Sequence, residues 1–293
     1  MKAKLTILGS GTSSGVPMIG CNCRVCKSAD PKDSRLRASA LVEYGGLTIL
    51  VDCGPDFRLQ AIRAGISHLD GILLTHNHMD HIGGLDDTRA LNLCESHPVN
   101  IYCERYVEDS LRHMYAYAFA DHKYPGAPEW HVHLIDERPF RIDTLGNTGE
   151  LEWVHDVGYF YRQADGSLSP SDNAVREAPH DNPDIIPIRG YHDQLPVLGF
   201  RVGNIAYITD MSRLPQSELP KLEGLEHLTL NTVGYHPHHS HFSLEEAIAL
   251  SQRIGARHTW LTHLSHAFPP YEEFSKQLPE GILPAYDGLT ITD

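Results

Sequence analysis

Four metal-ligand side chains fall within six positions of the stretch Leu73-Leu74-Thr75-His76-Asn77-His78-Met79-Asp80-His81-Ile82-Gly83-Gly84. An apolar strand ends at Thr75. In an extended chain His76 and His78 point to the same side, so both imidazoles can reach one cation. A turn after His78 lets Asp80 and His81 aim at a second cation nearby, and Gly83-Gly84 allows the close backbone approach that such a turn needs. A lone histidine would read as part of a polar loop, but this spacing directly after a buried strand points to metal chemistry. A second cluster lies at the N-terminus, where Cys21, Cys23 and Cys26 crowd together while Cys53, Cys94 and Cys103 lie scattered. In a chain with no export signal, that crowding reads as a metal site rather than a disulfide framework. The 20 histidines of the 293 residues are more than a structural role requires. Some of them, as in Tyr235-His236-Pro237-His238-His239, read as surface residues.

Elements able to hold these clusters are visible on both sides of them. Leu5 to Leu8, Ala40 to Glu43, Leu47 to Val51 and Gly71 to Leu74 read as strands. Leu47 to Val51 is nearly all apolar, as a strand buried on both faces should be. Helices are expected over Phe57 to Ala64, Glu104 to Phe119 and Leu244 to Ile254. The last is opened by Ser243 with Glu246 three residues on, a capping box, and is closed by Gly255. His258 to Leu261 is again strand-like. Strands alternating with helices at both ends predict an α/β (α+β) fold of sheets with helices outside, a four-layer αββα sandwich. The middle is less regular. Residues 146–184 are rich in Gly, Ser, Asp, Asn and Pro, and read either as an inserted lid or as a peripheral decoration.

Composition narrows the function. Hydrophobic residues at 41% and charged residues at 21% suit a chain with a sizeable core. The net charge of −14 is the wrong sign for gripping long nucleic acid or an anionic membrane by general charge. No apolar run approaches the length of a membrane span, and Met1 to Leu8 enters a strand at once without the anatomy of a signal peptide. A cytoplasmic enzyme or binding protein is the expectation.

His-x-His-x-Asp-His after a hydrophobic strand resembles the metallo-β-lactamase superfamily of dinuclear metal hydrolases. The resemblance implies a third histidine for the first metal, an Asp that bridges both metals and a late histidine for the second. His192, before the strand at Gly199 to Val202, answers to the third histidine, with His180 as an alternative. Asp210, ending the apolar Ala206-Tyr207-Ile208-Thr209, answers to the bridge, and His263, after Trp260-Leu261-Thr262, to the late ligand. The N-terminal Leu8-Gly9-Ser10-Gly11-Thr12-Ser13-Ser14-Gly15-Val16-Pro17, followed by the cysteine cluster, is similar to the branch that contains the phosphoribosyl cyclic phosphodiesterase (PhnP-like). There, three such cysteines and a histidine just after the late ligand hold a structural zinc, and His266 stands at that position. Four such ligands close a tetrahedron and leave no place for water. The resemblance covers residues 5–85, 187–213 and 230–293. It implies one domain over 1–293 with an insertion at about 105–186, and a homodimer.

The implied activity is a metal-dependent phosphodiesterase. Two divalent ions, zinc or manganese, share a hydroxide that attacks a small phosphate ester such as a cyclic ribose or nucleotide phosphate. His241, just before the capped helix, is the candidate general acid, in a place where free backbone N–H groups would favour a phosphate. Its bland reading is a solvent-facing histidine beside His236, His238 and His239. Asp80 is a second candidate for proton transfer while it ligates metal. Asp52, after the strand ending at Val51, reads either as a partner orienting a ligand imidazole or as a turn residue. Asp86 and Asp87 allow either reading. Cys53 reads as a small buried residue. Two other activities share parts of this pattern: nucleic-acid processing within the same superfamily, disfavoured by the acidic charge, and a role in pyrroloquinoline quinone biosynthesis, whose protein has a similar Cys-x-Cys-x-x-Cys start.

Overall fold

The computed structural model describes residues 2–95, 97–143, 160–162, 168–170 and 182–293. A first sheet is built from β1 (Lys4–Gly9), β2 (Ser39–Tyr44), β3 (Leu47–Val51), β4 (Gly71–Leu73), β5 (Val99–Cys103) and β6 (Trp130–Leu134). These lie side by side in chain order, and β15 (Thr290–Thr292) is added against β1. A second sheet holds β9 (Ile185–His192), β10 (Leu195–Val202), β11 (Ile205–Ile208), β12 (His227–Asn231), β13 (His258–Thr262) and β14 (Ile282–Pro284), again in chain order. A separate small hairpin pairs β7 (Phe160–Arg162) with β8 (Leu168–Pro170).

Period-two burial fixes the layers. In β3, Ile49 and Val51 enter the space between the sheets, where they meet Leu198, Phe200 and Tyr207. Leu50, between them, points the other way, into the layer of Phe57 from α1 (Phe57–Ala64) and Val107 and Leu111 from α4 (Arg105–Met114). Hence the strand is apolar on both faces, as its sequence predicts. Between α1 and α4 in the chain come α2 (Met79–Ile82) and α3 (Arg89–Glu95). On the far side Ile188, Ala206, Ile208 and Leu230 pack with Ala247 of α5 (Leu244–Ile254) and Phe274 of α6 (Tyr271–Ser275). The result is the expected four-layer αββα sandwich. Each fully enclosed Leu, Ile or Phe contributes about 2 kcal/mol to holding the layers together.

Local signals hold at α5. Ser243 Oγ accepts from the Glu246 N–H, Glu246 accepts in return from the Ser243 N–H, and Gly255 closes the helix with φ of 72°. The helix expected over Glu104 to Phe119 is shorter. It stops at Met114, because Tyr115 leaves helical backbone (φ −111°, ψ 40°) and carries its hydroxyl to the Ile82 carbonyl at 2.8 Å. Residues 105–134, the start of the segment read as an insertion, supply α4 to the outer helical layer and β6 to the first sheet. The region read as a lid or decoration, 146–184, lies outside the described residues except for β7, β8 and 182–184. Among the described residues, no helix is long and apolar enough to cross a membrane.

Strand direction places the site. β3 and β4 are parallel, as are β11, β12 and β13, and two antiparallel steps through β10 bring β9 into line with β11. The C-terminal ends of β9, β11 and β13 therefore share one edge of the second sheet, and those of β3 and β4 share one edge of the first.

Candidate metal centre

Each principal side chain leaves the end of a strand. Asp52 follows β3, His76 comes shortly after β4, His192 ends β9, Asp210 follows β11 and His263 follows β13. Asp52, Asp210 and His263 have φ of 61°, 55° and 57°. With Asp193 (55°), next to His192, they are all the non-glycine residues with left-handed backbone among the described residues. That conformation costs an L-residue about 1–2 kcal/mol, so surrounding structure rather than local preference holds it, as at other functional sites. Close approach of backbone is just as specific. A Cβ on Gly54 would lie 2.0 Å from the Asp80 carbonyl oxygen, and one on Gly84 would lie 1.9 Å from that of Gly54. Glycine at both positions lets the His81 carbonyl accept from Cys53 N–H at 2.7 Å and lets Gly84 N–H reach the Cys53 carbonyl at 2.8 Å.

Asp210 stands at the middle. Its Oδ2 lies 2.9 Å from His81 Nε2 and 3.6 Å from His76 Nε2, and its Oδ1 lies 2.8 Å from His263 Nδ1. Asp80 Oδ2 is 3.2 Å from His81 Nε2. The His192 ring is 5.7 Å from that of His76, and the His78 ring rests 4.5 Å from His76 and 4.9 Å from His192. Ligand atoms fall into three sets, each within 4.8 Å: His76, His81 and Asp210; Asp80, Asp210 and His263; His192, Asp210 and His241. Asp210 belongs to all three. His78 stays outside them, exposed on the rim against two of the other imidazoles.

Two nitrogens test whether a cation fits. His76 Nε2 and His263 Nδ1 are buried with no hydrogen-bond partner, although carboxylate oxygens lie close. A buried polar atom left so costs about 1–3 kcal/mol. Imidazole lone pairs and carboxylate oxygens crowded together without hydrogen bonds are a donor set that suits a divalent cation. The residues present therefore fit the metal that the sequence implies.

Electrostatics follow from burial and from the carboxylates. Burial, then His81, holds the His76 imidazole well below its usual range. Burial acts the same way on His81, but Asp210, Asp52 and Asp80 outweigh it and push that group up. Burial would raise Asp210, yet His263 and His81 keep it well below the carboxylate range. Asp52 is fully enclosed. Its Oδ2 meets His81 Nδ1 at 2.7 Å, and it accepts from the Thr75 N–H at 2.9 Å and from the Thr75 hydroxyl. Of its two sequence readings the orienting one fits, because the pair fixes which His81 nitrogen faces Asp210. Thr75 was invisible as a partner in the sequence; its hydroxyl also meets His76 Nδ1 at 2.9 Å. Asp86 accepts from Tyr117, and burial pushes the Cys53 thiol well up, as suits an inert core residue. His180 lies outside the described residues.

His241 enters the cluster itself. Its ring lies 4.6 Å from His192 and 4.7 Å from His263, and its Nδ1 is buried without a partner. Burial, then His263, pushes it down to about 3. The ring is thus neutral until an anionic group arrives beside it. The expectation of free N–H groups at the start of α5 needs correction. Leu244 N–H is taken by the Gly234 carbonyl and Glu246 N–H by Ser243, and the Glu246 carboxylate already sits on the helix end.

The cysteine cluster is assembled as well. Sγ of Cys21, Cys23 and Cys26 and a nitrogen of His266 lie within 4.8 Å of one another. His266 Nδ1 is 3.3 Å from Cys21 Sγ and 3.5 Å from Cys23 Sγ. Backbone N–H groups of Met18, Cys23 and Cys26 donate to sulfur. The Cys26 N–H and then His266 hold the Cys23 thiol down at about 6.

Comparison with known proteins agrees with this geometry. The profile of the Beta-lactamase superfamily domain matches residues 48–264. The crystal structure of a new diphosphatase from the PhnP family is 35% identical, with a TM-score of 0.81, over 100% of this chain and 98% of that one. An octanoyltransferase of Porphyromonas gingivalis is 37% identical over 286 residues, which is 97% of this chain but 50% of that protein. The chain thus spans half the length of that curated relative. Zinc-bound PqqB from Methylobacterium extorquens shares the fold at 19% identity, with a TM-score of 0.68 over 98% of this chain and 99% of that one. By profile, by full-length likeness and by fold, the chain belongs to the metallo-β-lactamase superfamily, among its metal-dependent hydrolases and beside the PhnP family.

Proposed function

We propose that the chain hydrolyses a small phosphodiester or diphosphate at a pair of divalent cations. The observation that carries this is the position of Asp210, whose carboxylate lies against His76, His81 and His263 at once, as one shared between two cations would. Likeness along the whole chain to a protein titled a diphosphatase supports the same substrate class. His76, His78, His192 and Asp210 would hold one cation, and Asp80, His81, Asp210 and His263 the other. Bound there, zinc or manganese would supply an activated water near neutral pH and offset charge on phosphate oxygens. Cys21, Cys23, Cys26 and His266 would hold a structural zinc.

The side chains divide the remaining work. Water adds to phosphorus and the bond from phosphorus to the leaving oxygen breaks. His241 gives a proton to that oxygen and recovers one released by the attacking water. A phosphate beside the ring raises its proton affinity, which reverses the effect of burial on His241. Burial would raise Asp80, but His81 outweighs it and holds the carboxylate well below its usual range. Asp80 therefore serves as a charged ligand, with no proton to give and too weak a base to take one up. Asp52 holds the His81 ring in register throughout.

The Porphyromonas relative is named an octanoyltransferase, which offers a second reading, cleavage of an octanoyl thioester; half of that protein lies beyond this chain. One experiment separates the two. Purified chain is assayed for metal content and for turnover of bis(p-nitrophenyl) phosphate and an octanoyl thioester, with zinc or manganese added. Metal-dependent cleavage of the diester with about three ions per chain is the expected result, two at the open centre and one at the closed site. Cleavage of the thioester alone, or one tightly held ion and no turnover, would overturn the proposal.

A further inference from the structure

A line of imidazoles leads from the centre to the surface. Beyond His241, the His238 ring lies 5.3 Å away, and the His239 ring a further 4.5 Å. The sequence marks His238 as one of several surface histidines, and it is exposed, yet its orientation is fixed. Its Nδ1 receives the Ser240 N–H at 3.4 Å and lies 3.1 Å from the Ser240 hydroxyl, and Ser240 itself is buried. A backbone N–H can only donate, so Nδ1 is the acceptor and the proton of the neutral ring sits on Nε2. No protein acceptor meets that Nε2–H among the described residues. Partial burial, together with His239, holds the group below the usual histidine range, which favours this neutral form.

Position gives the donor a use. His241 has ligand imidazoles on its inner side, His192 and His263, and His238 on its outer side. If His241 protonates the leaving oxygen, His238 stands beside the leaving group. The segment from Gly234 to Phe242 contains no Lys or Arg, so what it can offer an anion is imidazole, hydroxyl and backbone N–H groups. We propose that His238 Nε2–H binds a second anionic group carried by the leaving group, which makes His238 the residue that favours diphosphates over simple diesters. This rests on the phosphodiesterase reading above.

The test compares ADP-ribose, whose leaving group carries a phosphate, with bis(p-nitrophenyl) phosphate, whose leaving group does not. In metal-loaded full-length protein, His238→Ala should lower the ratio of kcat/KM for ADP-ribose over the diester about tenfold, mainly through KM, as befits a hydrogen bond to a charged group. His238→Gln should restore most of the ratio, because its amide nitrogen stands where Nε2 did. His238→Asn should not. Nitrogen NMR of the imidazoles should report the Nε2–H form for the signal that His238→Gln removes. Equal loss on both substrates, no loss in the Ala variant, an Asn variant as good as Gln, or an Nδ1–H ring would each overturn the proposal. A wild-type protein that cleaves the diester but not ADP-ribose would overturn it and leave the phosphodiesterase reading standing. Failure on both substrates would remove that reading first.

Discussion

Asp80, His81, Asp210 and His263 meet across the gap between two sheets, whereas Cys21, Cys23 and Cys26 come from one short loop and need only His266 to complete them. The first group is crowded, shares one carboxylate among three ligand sets and sits on backbone that three residues hold in a costly conformation. The second has four donors of two kinds, no carboxylate, and no non-glycine residue in left-handed backbone. An open centre needs spare positions for substrate and water; a closed one needs only to be filled. The two are joined. The Leu264 N–H, between His263 and His266, donates to the Ser10 carbonyl at 2.8 Å, where the N-terminal loop begins. The chain leading to the cysteines is thus tied to the turn that carries His263.

Removing one ligand from each site should break the comparison in different ways. His78→Ala is expected to lower turnover on the order of a thousandfold, the scale of losing one preorganised group at the reacting phosphate. Because His78 is exposed on the rim, its melting temperature should stay within about 2 °C of the wild type. Full turnover by this variant with its metals verified would remove it from the centre. Cys23→Ser should act the other way round. Its loss of a metal should lower the melting temperature by roughly 5–10 °C, with turnover falling only as His263 loosens. An unmoved melting curve and an unchanged zinc content would show that the thiols hold nothing.

Legibility differed between the two regions for a physical reason. The three cysteines and the His-x-His-x-Asp-His turn are local, so spacing alone could find them, whereas His266 came only from the family resemblance. Leu50 facing one way and Ile49 and Val51 the other was equally readable, because alternation along one strand encodes it. His192, Asp210 and His263 are separated by 18 and 53 positions, and only the order implied by a family resemblance singled them out. Nothing in the sequence could reveal that Thr75 holds Asp52, or that Arg189 crosses to Glu104 at 2.6 Å and Glu137 at 2.9 Å, since those partners meet only when the layers close. The N-terminus of α5 misled for the opposite reason. Its capping box was read correctly, but a capping box uses the N–H groups that a phosphate would need.

Asp52→Asn sharpens the comparison further, because it leaves every ligand in place. The amide would keep its shape near Thr75 but would lose the charge that orients His81. Metal affinity should fall about 10- to 100-fold, read by calorimetry or by competition with a chelator. The melting temperature of the loaded protein should change less than in Cys23→Ser. Unchanged affinity would make Asp52 a turn residue after all.

The smallest expected effect concerns His68, which has the same kind of neighbours as His81 but lies away from the centre. Its Nδ1 is 2.6 Å from Glu95 Oε1 and its Nε2 is 3.0 Å from Asp70 Oδ1. With a carboxylate on each nitrogen, both must donate, so the ring here is an imidazolium. Burial disfavours that charge, yet Asp70 and Glu95 outweigh it and push the group up to about 9 from an ordinary 6.5. A folded-state value raised in this way adds stability that is fully present below about pH 6.5 and is lost as pH rises through about 9. The contribution is about 1–3 kcal/mol, from a shift worth 1.36 kcal/mol per pH unit with allowance for solvent screening. Melting temperature should therefore fall between pH 7 and 9.5 more steeply in the wild type than in His68→Gln, and identical slopes would deny the pair any such role. A positive result would show what two carboxylates do with an imidazole when no cation is shared: they fix a proton, and the protein gains stability. At His81 the same chemistry faces Asp210 and two further imidazoles. There it is the neighbouring His76 Nε2 and His263 Nδ1 that are left unpaired, a cost in folding that a bound ion would recover.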